Sequence, residues 1–269
     1  MLEHYANQAS GLLGLGCQSG PRLIAMVSHG DERAELPLLW QLCLSLVNFG
    51  YSITVLDATT PESEANPGLE QLLENAHWRD DAARDTPAWA VIPSAKGIQA
   101  LAAGPGTHSG SLLHQLLPLL PAEGIVVLYC KVEWLLPLVS DWHMEPLLVV
   151  SPLQRSLLTS YMALKRMLIT GKLKPTIINM LQDSDLHSPH TALSASAGLG
   201  ACARRFLDYE CKTLNIREQR GESQPSAQVQ SLALRLLENS VTLGQQQESH
   251  GAGRSLPQIR HVDQFAERH

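Results

Sequence analysis

The sequence of 269 residues has no excess of positive charge, with 20 Lys and Arg against 26 Asp and Glu. Its formal net charge of -6 argues against binding to nucleic acid or to an anionic membrane surface. The five cysteines are an odd number and contain no C-x-x-C pair, which argues against a disulfide framework and against a thiolate zinc site. Cys43 and Cys130 stand within apolar runs and are predicted to be small core residues.

Long uninterrupted apolar segments are also missing, because Pro, Lys or Asp breaks each of the longest ones. The first residues, MLEHYANQASGLL, are polar and contain no basic stretch followed by a long apolar core. We therefore expect no signal peptide, no membrane span and a cytoplasmic protein. With 44% hydrophobic residues, the chain is able to bury one substantial core.

Short β-rich apolar runs alternate with segments of helical spacing. The runs are RLIAMV (22–27), SITVL (52–56), AWAVI (88–92), GIVVLY (124–129), PLLVV (146–150) and PTIINM (175–180). Helical spacing is found at 36–49, 109–120, 153–171 and 192–214, and in AQVQSLALRLLENSV (227–241), whose apolar stripe comprises Val229, Leu232, Ala233, Leu236, Leu237 and Val241. Continuous apolar strands joined by crossover helices predict an α/β fold, a mostly parallel twisted sheet with helices on both faces.

The domain of this predicted sheet runs from 21 to 243. Residues 1–20 precede it as an N-terminal interaction segment, and the polar composition after Leu243 predicts a disordered tail at 244–269. GPGTHSG (104–110) and QDSDLHSPH (182–190) are predicted to be loops within the domain.

The first predicted strand leads into a helix, an arrangement that nucleotide-binding proteins use to hold phosphate. No glycine-rich loop joins the two elements here. The connecting stretch carries the acids Asp31, Glu32 and Glu35 against one cation, Arg33, and Pro37 is predicted near the start of the helix. The setting of a phosphate site is therefore filled with acidic side chains.

Several short motifs in the sequence resemble those of the MinD/ParA group of deviant P-loop ATPases, and within it those of the FlhG (FleN) subfamily of flagellar-number regulators. Asn7-Gln8-Ala9-Ser10-Gly11-Leu12 is similar to the DQAxxLR-type helix that opens that subfamily, and Leu56-Asp57-Ala58 to its strand ending in DAD. Three further segments resemble later parts of the family, namely VIPSAKGI (91–98), LLVVSPLQRSLLTSYMALKRM (147–167) and REQRGESQPSAQVQSLALRLL (217–237). The resemblance implies the P-loop NTPase fold, with ATP and magnesium as the family's cofactors.

The chain departs from the family at the phosphate-binding loop. Laid on the family's SGKGGVGKT, it reads Ser28-His29-Gly30-Asp31-Glu32-Arg33-Ala34-Glu35-Leu36. The resemblance places the signature lysine at Gly30, the phosphate-binding lysine at Glu35 and the magnesium-binding threonine at Leu36. It also places the second Asp of DAD at Thr59 and the switch Asp at Cys130.

These replacements remove the glycines, the lysine and the hydroxyl with which a P-loop binds a metal-bound triphosphate. Each like-charge pair at ~4 Å costs ~4 kcal/mol at an effective dielectric near 20, so the loop acids oppose a polyphosphate. The sequence therefore predicts a catalytically inactive pseudo-ATPase that binds neither ATP nor magnesium. In that case the stretch from Asp31 to Glu35 is a solvated, self-capping turn. The alternative is a nucleotide-dependent ATPase switch with an unorthodox site, or an anion held at the helix N-terminus.

The resemblance implies a protein partner, because FlhG contacts and stimulates the signal-recognition-type GTPase FlhF through its N-terminal helix. Asn7, Gln8 and Leu12 are the predicted partner-binding residues. We expect control of flagellar number or placement through a FlhF-type GTPase or another flagellar regulator; positioning in another system, such as chromosome partitioning or cellulose secretion, is the alternative. An ATP-bridged homodimer and stable membrane anchoring are not expected, since the bridging lysine is absent and the tail has no continuous apolar face.

Two further groups have functional side-chain types. Asp183, Asp185, His187 and His190 have side chains of metal-ligand type, but without a fixed ligand spacing the favoured interpretation is a polar loop containing Pro189. Tyr129, Lys131, Trp134 and Trp142 are candidates for a protein-binding surface, although core packing is the more frequent explanation of such residues.

Overall fold

The computed structural model describes residues 20–74, 88–104, 113–121, 123–139, 142–181, 189–217 and 224–243, with the backbone alone for 189–195. Most of the predicted N-terminal segment, with Asn7, Gln8 and Leu12, lies outside these ranges, as does the predicted tail. The described residues confirm the predicted α/β fold, a mostly parallel sheet with helices on both faces.

Eight strands among the described residues form the sheet. They are β1 (Arg22–Ser28), β2 (Ile53–Asp57), β3 (Trp89–Pro93), β4 (Ile125–Lys131), β5 (Leu147–Val150), β6 (Thr176–Leu181), β7 (Lys212–Arg217) and β8 (Val241–Thr242). The order is β3-β2-β4-β1-β5-β6-β7, and every pair on this path is parallel. The short β8 is antiparallel to the first residues of β1, where Leu243 also donates a backbone hydrogen bond of 2.8 Å to the carbonyl of Pro21.

Seven α-helices among the described residues cover the sheet. They are α1 (Glu32–Asn48), α2 (Leu69–Glu74), α3 (Ala95–Ala103), α4 (Val132–Val139), α5 (Gln154–Ile169), α6 (Pro189–Leu207) and α7 (Ala227–Glu238). Alternate residues of β1 face opposite sides, so that Ile24 and Met26 pack in the core beneath α1 and α7. Leu23, Ala25 and Val27 belong to the core on the other face, beneath the remaining helices. No helix in the described ranges is both long and apolar enough to cross a bilayer.

The first helix begins earlier than predicted. α1 starts at Glu32, so Pro37 is an interior helical residue and not a residue of the helix start. Proline has no N–H, and the helix therefore lacks one backbone hydrogen bond in its second turn. The apolar side of α1 outweighs this loss, because Leu38, Leu42 and Leu46 are completely or almost completely buried against the sheet.

The region after β6 differs most from the prediction. α6 ends at Leu207, before Asp208 with its positive φ of 48°, and the residues predicted to continue the helix to 214 belong in part to β7. Pro189 and His190 lie in α6 and not in the predicted loop. Of the predicted helix at 109–120, the described residues Leu113 and His114 are helical, and Leu117–Leu119 form a 3-10 turn.

The last helix confirms most of its predicted stripe. Five of the six predicted residues, Val229, Leu232, Ala233, Leu236 and Leu237, are buried on α7. Val241 lies in β8 instead, since the helix ends at Glu238. The buried Cys43 and Cys130 confirm the prediction of core cysteines.

Candidate functional site: the loop after the first strand

The candidate site lies where β1 passes into α1, at the carboxyl edge of the parallel sheet. β1 stands between β4 and β5, and α1 and α5 leave β1 and β5 towards opposite faces of the sheet. A crevice is expected between the two strands at such a reversal, and ligands of open α/β sheets usually bind there. Gly30 makes the turn with a φ of 91°, which a residue with a side chain adopts only at a cost.

Glu35 fills the inside of this turn. Its Oε1 accepts backbone hydrogen bonds from His29 at 3.0 Å and from Asp31 at 3.1 Å. Its Oε2 accepts a hydrogen bond of 2.5 Å from the hydroxyl of Tyr129 in β4. The side chain is completely buried, with 0% exposure. A carboxylate of the chain itself thus binds the N–H groups that a strand–loop–helix site would direct at a phosphate.

Tyr129 is a core residue whose hydroxyl binds Glu35 within the site. Burial raises the pKa of its hydroxyl, and the negative charge of Glu35 raises it further. The phenol therefore stays protonated over the whole physiological range and acts as a permanent donor to Glu35. Of the two interpretations of Tyr129, a protein-binding surface or core packing, its exposure of 0% agrees with core packing.

His29 closes the crevice between β1 and β5. Its Nε2 donates to the backbone carbonyl of Val149 at 2.6 Å, and its Nδ1 lies 2.8 Å from the hydroxyl of Thr159 on α5. The same Nε2 is 3.4 Å from Oε1 of Glu35. The imidazole ring thus connects the loop to both β5 and α5.

Asp31 makes a second connection across the same crevice. Its Oδ2 accepts a hydrogen bond of 2.6 Å from the hydroxyl of Ser151, the residue after β5. The backbone N–H of Ser151 in turn donates to the hydroxyl of Ser156 at 3.1 Å. Asp31 does not cap α1 with its side chain, although it precedes that helix. The carboxylate instead holds the loop of β5 against the loop of β1.

The residues at the end of β2 also form hydrogen bonds with one another. Asp57 accepts hydrogen bonds from the backbone N–H and the hydroxyl of Thr59, at 2.8 and 2.6 Å, and from the hydroxyl of Thr60 at 2.6 Å. These are the contacts of an aspartate that stabilises its own turn. Thr59, which the resemblance aligned with an acidic residue, therefore serves Asp57 as a donor.

A cavity of about 540 Å³ adjoins the loop on the side of α4 and α5. Its wall includes Ser28, His29 and Gly30 together with Trp134 and Met162. Two cations, Lys131 and Arg166, also line it, but Arg166 forms an ion pair with Glu133, and Lys131 lies 5.4 Å from the ring centre of Trp134. The cavity thus combines apolar surface with charges that are already engaged.

The acidic residues of the loop differ from the prediction in their environment. Asp31 and Glu35 are buried, so the stretch is not a solvated turn, whereas Glu32, Arg33 and Gly30 are exposed. Leu36 is 43% exposed on the outer side of α1, away from the interior of the loop. Cys130 is fully buried, and burial raises the pKa of its thiol, so it is a core residue at the position of the family's switch.

The other predicted groups are only partly described. Asp183, Asp185 and His187 lie outside the described residues, and of His190 only the backbone is described. The described part of the chain contains no group of three or more His, Cys, Asp or Glu side chains suited to a metal ion. Trp134 and Trp142 are half-buried and pack against the core, as the alternative interpretation had it.

The residues missed by the sequence interpretation are Ser151 and Thr159, which bind the loop from β5 and α5, and Ser156, which accepts a hydrogen bond from the backbone of Ser151. Ser151 directly follows a run of apolar residues, and polar residues at the carboxyl ends of parallel strands are candidates for a site. The loop partners of Ser151 and Thr159, however, lie about 120 to 130 positions away in the sequence.

The parallel sheet with helices on both faces has the α/β fold of solved MinD and ParA-type proteins. The chain is similar to a chain of the MinC:MinD cell division protein complex of Aquifex aeolicus, with a TM-score of 0.51 and 13% identity over 83% of this chain and 98% of that one. It is also similar to cobyrinic acid a,c-diamide synthase of Mycobacterium smegmatis, with a TM-score of 0.51 and 13% identity over 81% and 94%. A plasmid partition protein of Borrelia burgdorferi is similar as well, with a TM-score of 0.50 and 11% identity over 80% of this chain and 99% of that one.

No family model and no curated protein matches the sequence. The likeness to the solved structures therefore establishes the fold, and the chemistry of the site has to be read from its own residues. Those residues do not fit a magnesium-bound triphosphate. The N–H groups of His29 and Asp31 bind Glu35, and Leu36 offers no oxygen to a metal.

Proposed function

We propose that this protein is a pseudo-ATPase of the MinD/ParA fold that acts through protein contacts. The observation that carries the proposal is the carboxylate of Glu35 on the backbone N–H groups of the loop. A phosphate could use these donors only after displacing a buried side chain that accepts three hydrogen bonds.

Electrostatics supports the same conclusion. A phosphate at ~4 Å from the carboxylate of Glu35 would lose ~4 kcal/mol per pair of charges at an effective dielectric near 20. This repulsion corresponds to a loss of about a thousandfold in affinity for each such pair. Asp31 is buried beside Glu35 and adds to the repulsion. The exposed Arg33 is the one cation between Gly30 and Leu36.

Isothermal titration of the full chain with ATP and magnesium tests the loss of nucleotide binding. We expect no heat of binding in the micromolar range and no hydrolysis above the background rate. Glu32→Gln is the matched control, because Glu32 is exposed and lines the cavity without touching the loop N–H groups. A micromolar dissociation constant for wild-type protein would overturn the proposal.

We further propose that the partner is a FlhF-type GTPase and that the protein regulates flagellar number or placement. This proposal rests on the sequence resemblance of the N-terminal segment, with Asn7, Gln8 and Leu12 as contact residues. Binding to such a GTPase, and stimulation of its GTP hydrolysis, should be lost when residues 1–15 are removed. Gln8→Ala should lose the stimulation, whereas Gln18→Ala in the same segment serves as the control. Unchanged binding after the truncation would exclude this segment as the contact.

The cavity favours a second candidate, a nucleotide-dependent switch with an unorthodox site. Its volume of about 540 Å³ and its two cations, Lys131 and Arg166, are the features that support this alternative. A nucleotide there would lie beside the loop and not in it. The same titration separates the two candidates, since binding that is abolished by Lys131→Ala and retained by Glu35→Ala would favour the cavity.

A further inference from the structure

Three hydrogen-bond donors converge on the carboxylate of Glu35 from separate parts of the chain. Two are the backbone N–H groups of His29 and Asp31 in the loop, and the third is the hydroxyl of Tyr129 in β4. We call these three groups the carboxylate site. Tyr129 stands 94 positions after Glu35, is completely buried and pairs with Met26 in the sheet. The site is therefore built by the sheet as well as by the beginning of α1.

The donors are divided between two acceptor oxygens. The N–H groups of His29 and Asp31 both donate to Oε1, at 3.0 and 3.1 Å, whereas the phenol of Tyr129 donates to Oε2 at 2.5 Å. Two oxygens on one carbon thus satisfy every donor of the carboxylate site, and an ionised carboxylate accepts on both of its oxygens. Burial and the charge of Glu35 raise the pKa of the phenol, so that it remains a donor at physiological pH. The chemistry of the site is therefore that of a receptor for one carboxylate group.

A phosphate group does not match this set of donors. It carries about −1.5 to −2 charge and three acceptor oxygens, whereas the carboxylate site supplies donors to two oxygens. Nε2 of His29 lies 3.4 Å from Oε1, but it donates to the carbonyl of Val149. A third oxygen would be buried beside the carboxylate of Asp31, and an unpaired buried acceptor is costly. The site consequently selects a single negative charge.

We propose that the loop after β1 is a carboxylate-binding site with a tethered ligand, and that a free monocarboxylate of the size of acetate takes the place of the Glu35 side chain once that side chain is removed. This inference deepens the proposed function and rests on it in one respect, the exclusion of phosphate. In the wild-type chain the tethered group competes at a high effective concentration, so the site is occupied at every concentration of nucleotide or free carboxylate. The loop accordingly has one liganded state and needs no cofactor to reach it.

Glu35→Ala opens a space that acetate matches. The substitution removes Cγ, Cδ and the two carboxylate oxygens, and acetate consists of the same set of heavy atoms. Alanine has the highest helix propensity, so the first turn of α1 keeps its backbone conformation and the loop keeps its donors. The space is buried, because the exposure of Glu35 is 0%. We expect a dissociation constant of the order of 10 mM, since so small a ligand binds weakly.

Titration of full-length Glu35→Ala with acetate tests the site. We expect the amide NMR signals of His29 and Asp31 to shift, and the melting temperature to lie at least about 4 °C higher in about 200 mM sodium acetate than in the same concentration of sodium chloride. For wild-type protein and for the matched control Glu32→Ala, whose side chain is exposed, the two salts should differ by less than about 2 °C. A Glu35→Ala variant that is unfolded in chloride should fold in acetate. Signals that do not move, or a variant that acetate leaves unfolded, would overturn the proposal.

Two further measurements test the class of ligand. Adding Tyr129→Phe to Glu35→Ala removes the third donor, so the dissociation constant of acetate should rise at least about tenfold, and an unchanged constant would contradict the assigned donors. Sodium phosphate at equal ionic strength should leave the signals of His29 and Asp31 in place. Phosphate that moves them as strongly as acetate would contradict the selection of a carboxylate. None of these experiments uses a nucleotide, so a negative result leaves the ATP titration of wild-type protein, and with it the proposed function, unaffected.

Discussion

The hydroxyl of Tyr129 donates a hydrogen bond of 2.5 Å to the carboxylate of Glu35, across 94 positions of the sequence. The bond connects β4, in the middle of the sheet, to the first turns of α1. Glu35 uses its other oxygen for the loop N–H groups of His29 and Asp31. The buried phenol therefore fixes the orientation of the carboxylate that fills the loop.

Removing this hydroxyl should destabilise the fold without changing its shape. Tyr129→Phe leaves Oε2 of Glu35 buried without its donor, and we expect a loss of about 2 kcal/mol in the free energy of unfolding. Urea denaturation measures the loss. Tyr161→Phe on α5 is the control, because Tyr161 is half-buried and its substitution should stay within about 0.5 kcal/mol. A loss of equal size in both variants would mean that the bond to Glu35 contributes nothing specific.

The two glutamates of the loop should respond differently to truncation. Glu35→Ala leaves two backbone N–H groups and the hydroxyl of Tyr129 without their acceptor, and we expect a loss of about 3 kcal/mol. Glu32→Ala, in the same first turn but exposed, should change the free energy of unfolding by less than about 0.5 kcal/mol. Amide hydrogen exchange should show faster exchange at His29 and Asp31 in Glu35→Ala only. Unchanged exchange at both residues would contradict the observed hydrogen bonds.

Glu145 predicts a dependence of stability on pH. The hydrogen bond from Lys212 at 2.7 Å has the largest effect on this carboxyl and lowers its pKa. Burial has the next largest effect and raises the pKa, but the hydrogen bond from Arg235 at 3.0 Å lowers it again, so that the pKa lies below 4.5. The pKa of Glu145 is lower in the folded protein than in the unfolded chain. Its stabilising contribution is therefore complete at a pH above the pKa of the unfolded chain, and it is lost as the pH falls through the pKa of the folded protein. Glu145→Gln should therefore cost about 1 kcal/mol at neutral pH and nothing in strong acid.

Urea denaturation at a series of pH values measures the effect of Glu145→Gln. Glu70→Gln is the control, because the pair of Glu70 with Lys96 is exposed and its N···O distance is 3.9 Å. Its substitution should change the stability little at any pH. A cost of Glu145→Gln that stays constant down to strong acid would show that charge is not its origin.

Replacing two helical glycines by alanine should change the stability of the fold in opposite directions. A Cβ at Gly97 would lie 2.8 Å from side-chain atoms of Leu69 and 2.9 Å from the backbone nitrogen of Glu70, where α3 crosses α2. We expect Gly97→Ala to cost about 2 kcal/mol through overpacking. Gly198 on α6 has open space around its Cβ position, so Gly198→Ala should stabilise the protein by about 0.5 kcal/mol. Thermal unfolding measures both, and the same sign for the two variants would be inconsistent with the packing.

The sheet could be predicted from the sequence because its central strands are buried on both faces. Six strands were predicted with ends within two residues of those observed. The edge strand β7 was missed, since Lys212, Thr213 and Asn215 are exposed and interrupt the apolar pattern. The carboxylates of Asp31 and Glu35 were predicted to be solvated but are buried. Their partners, Ser151 after β5 and Tyr129 in β4, are distant in the sequence, so the prediction could not include them. Local patterns carry no information on such contacts, which only the topology of the sheet creates.

The pairing of β8 with the beginning of β1 also has a practical consequence. Pro21 and Leu243 are joined by a backbone hydrogen bond of 2.8 Å, so these two residues, near the two ends of the sheet domain, are adjacent. Both residues lie at the amino end of β1, about 23 Å of strand away from the carboxyl end that leads to Glu35. A fluorescent label attached beside Pro21 or Leu243 would thus be tethered at the far side of the sheet from the cavity. Such a label suits the nucleotide titrations, whereas the GTPase-binding experiments need an untagged N-terminus, because Asn7, Gln8 and Leu12 are the proposed contacts.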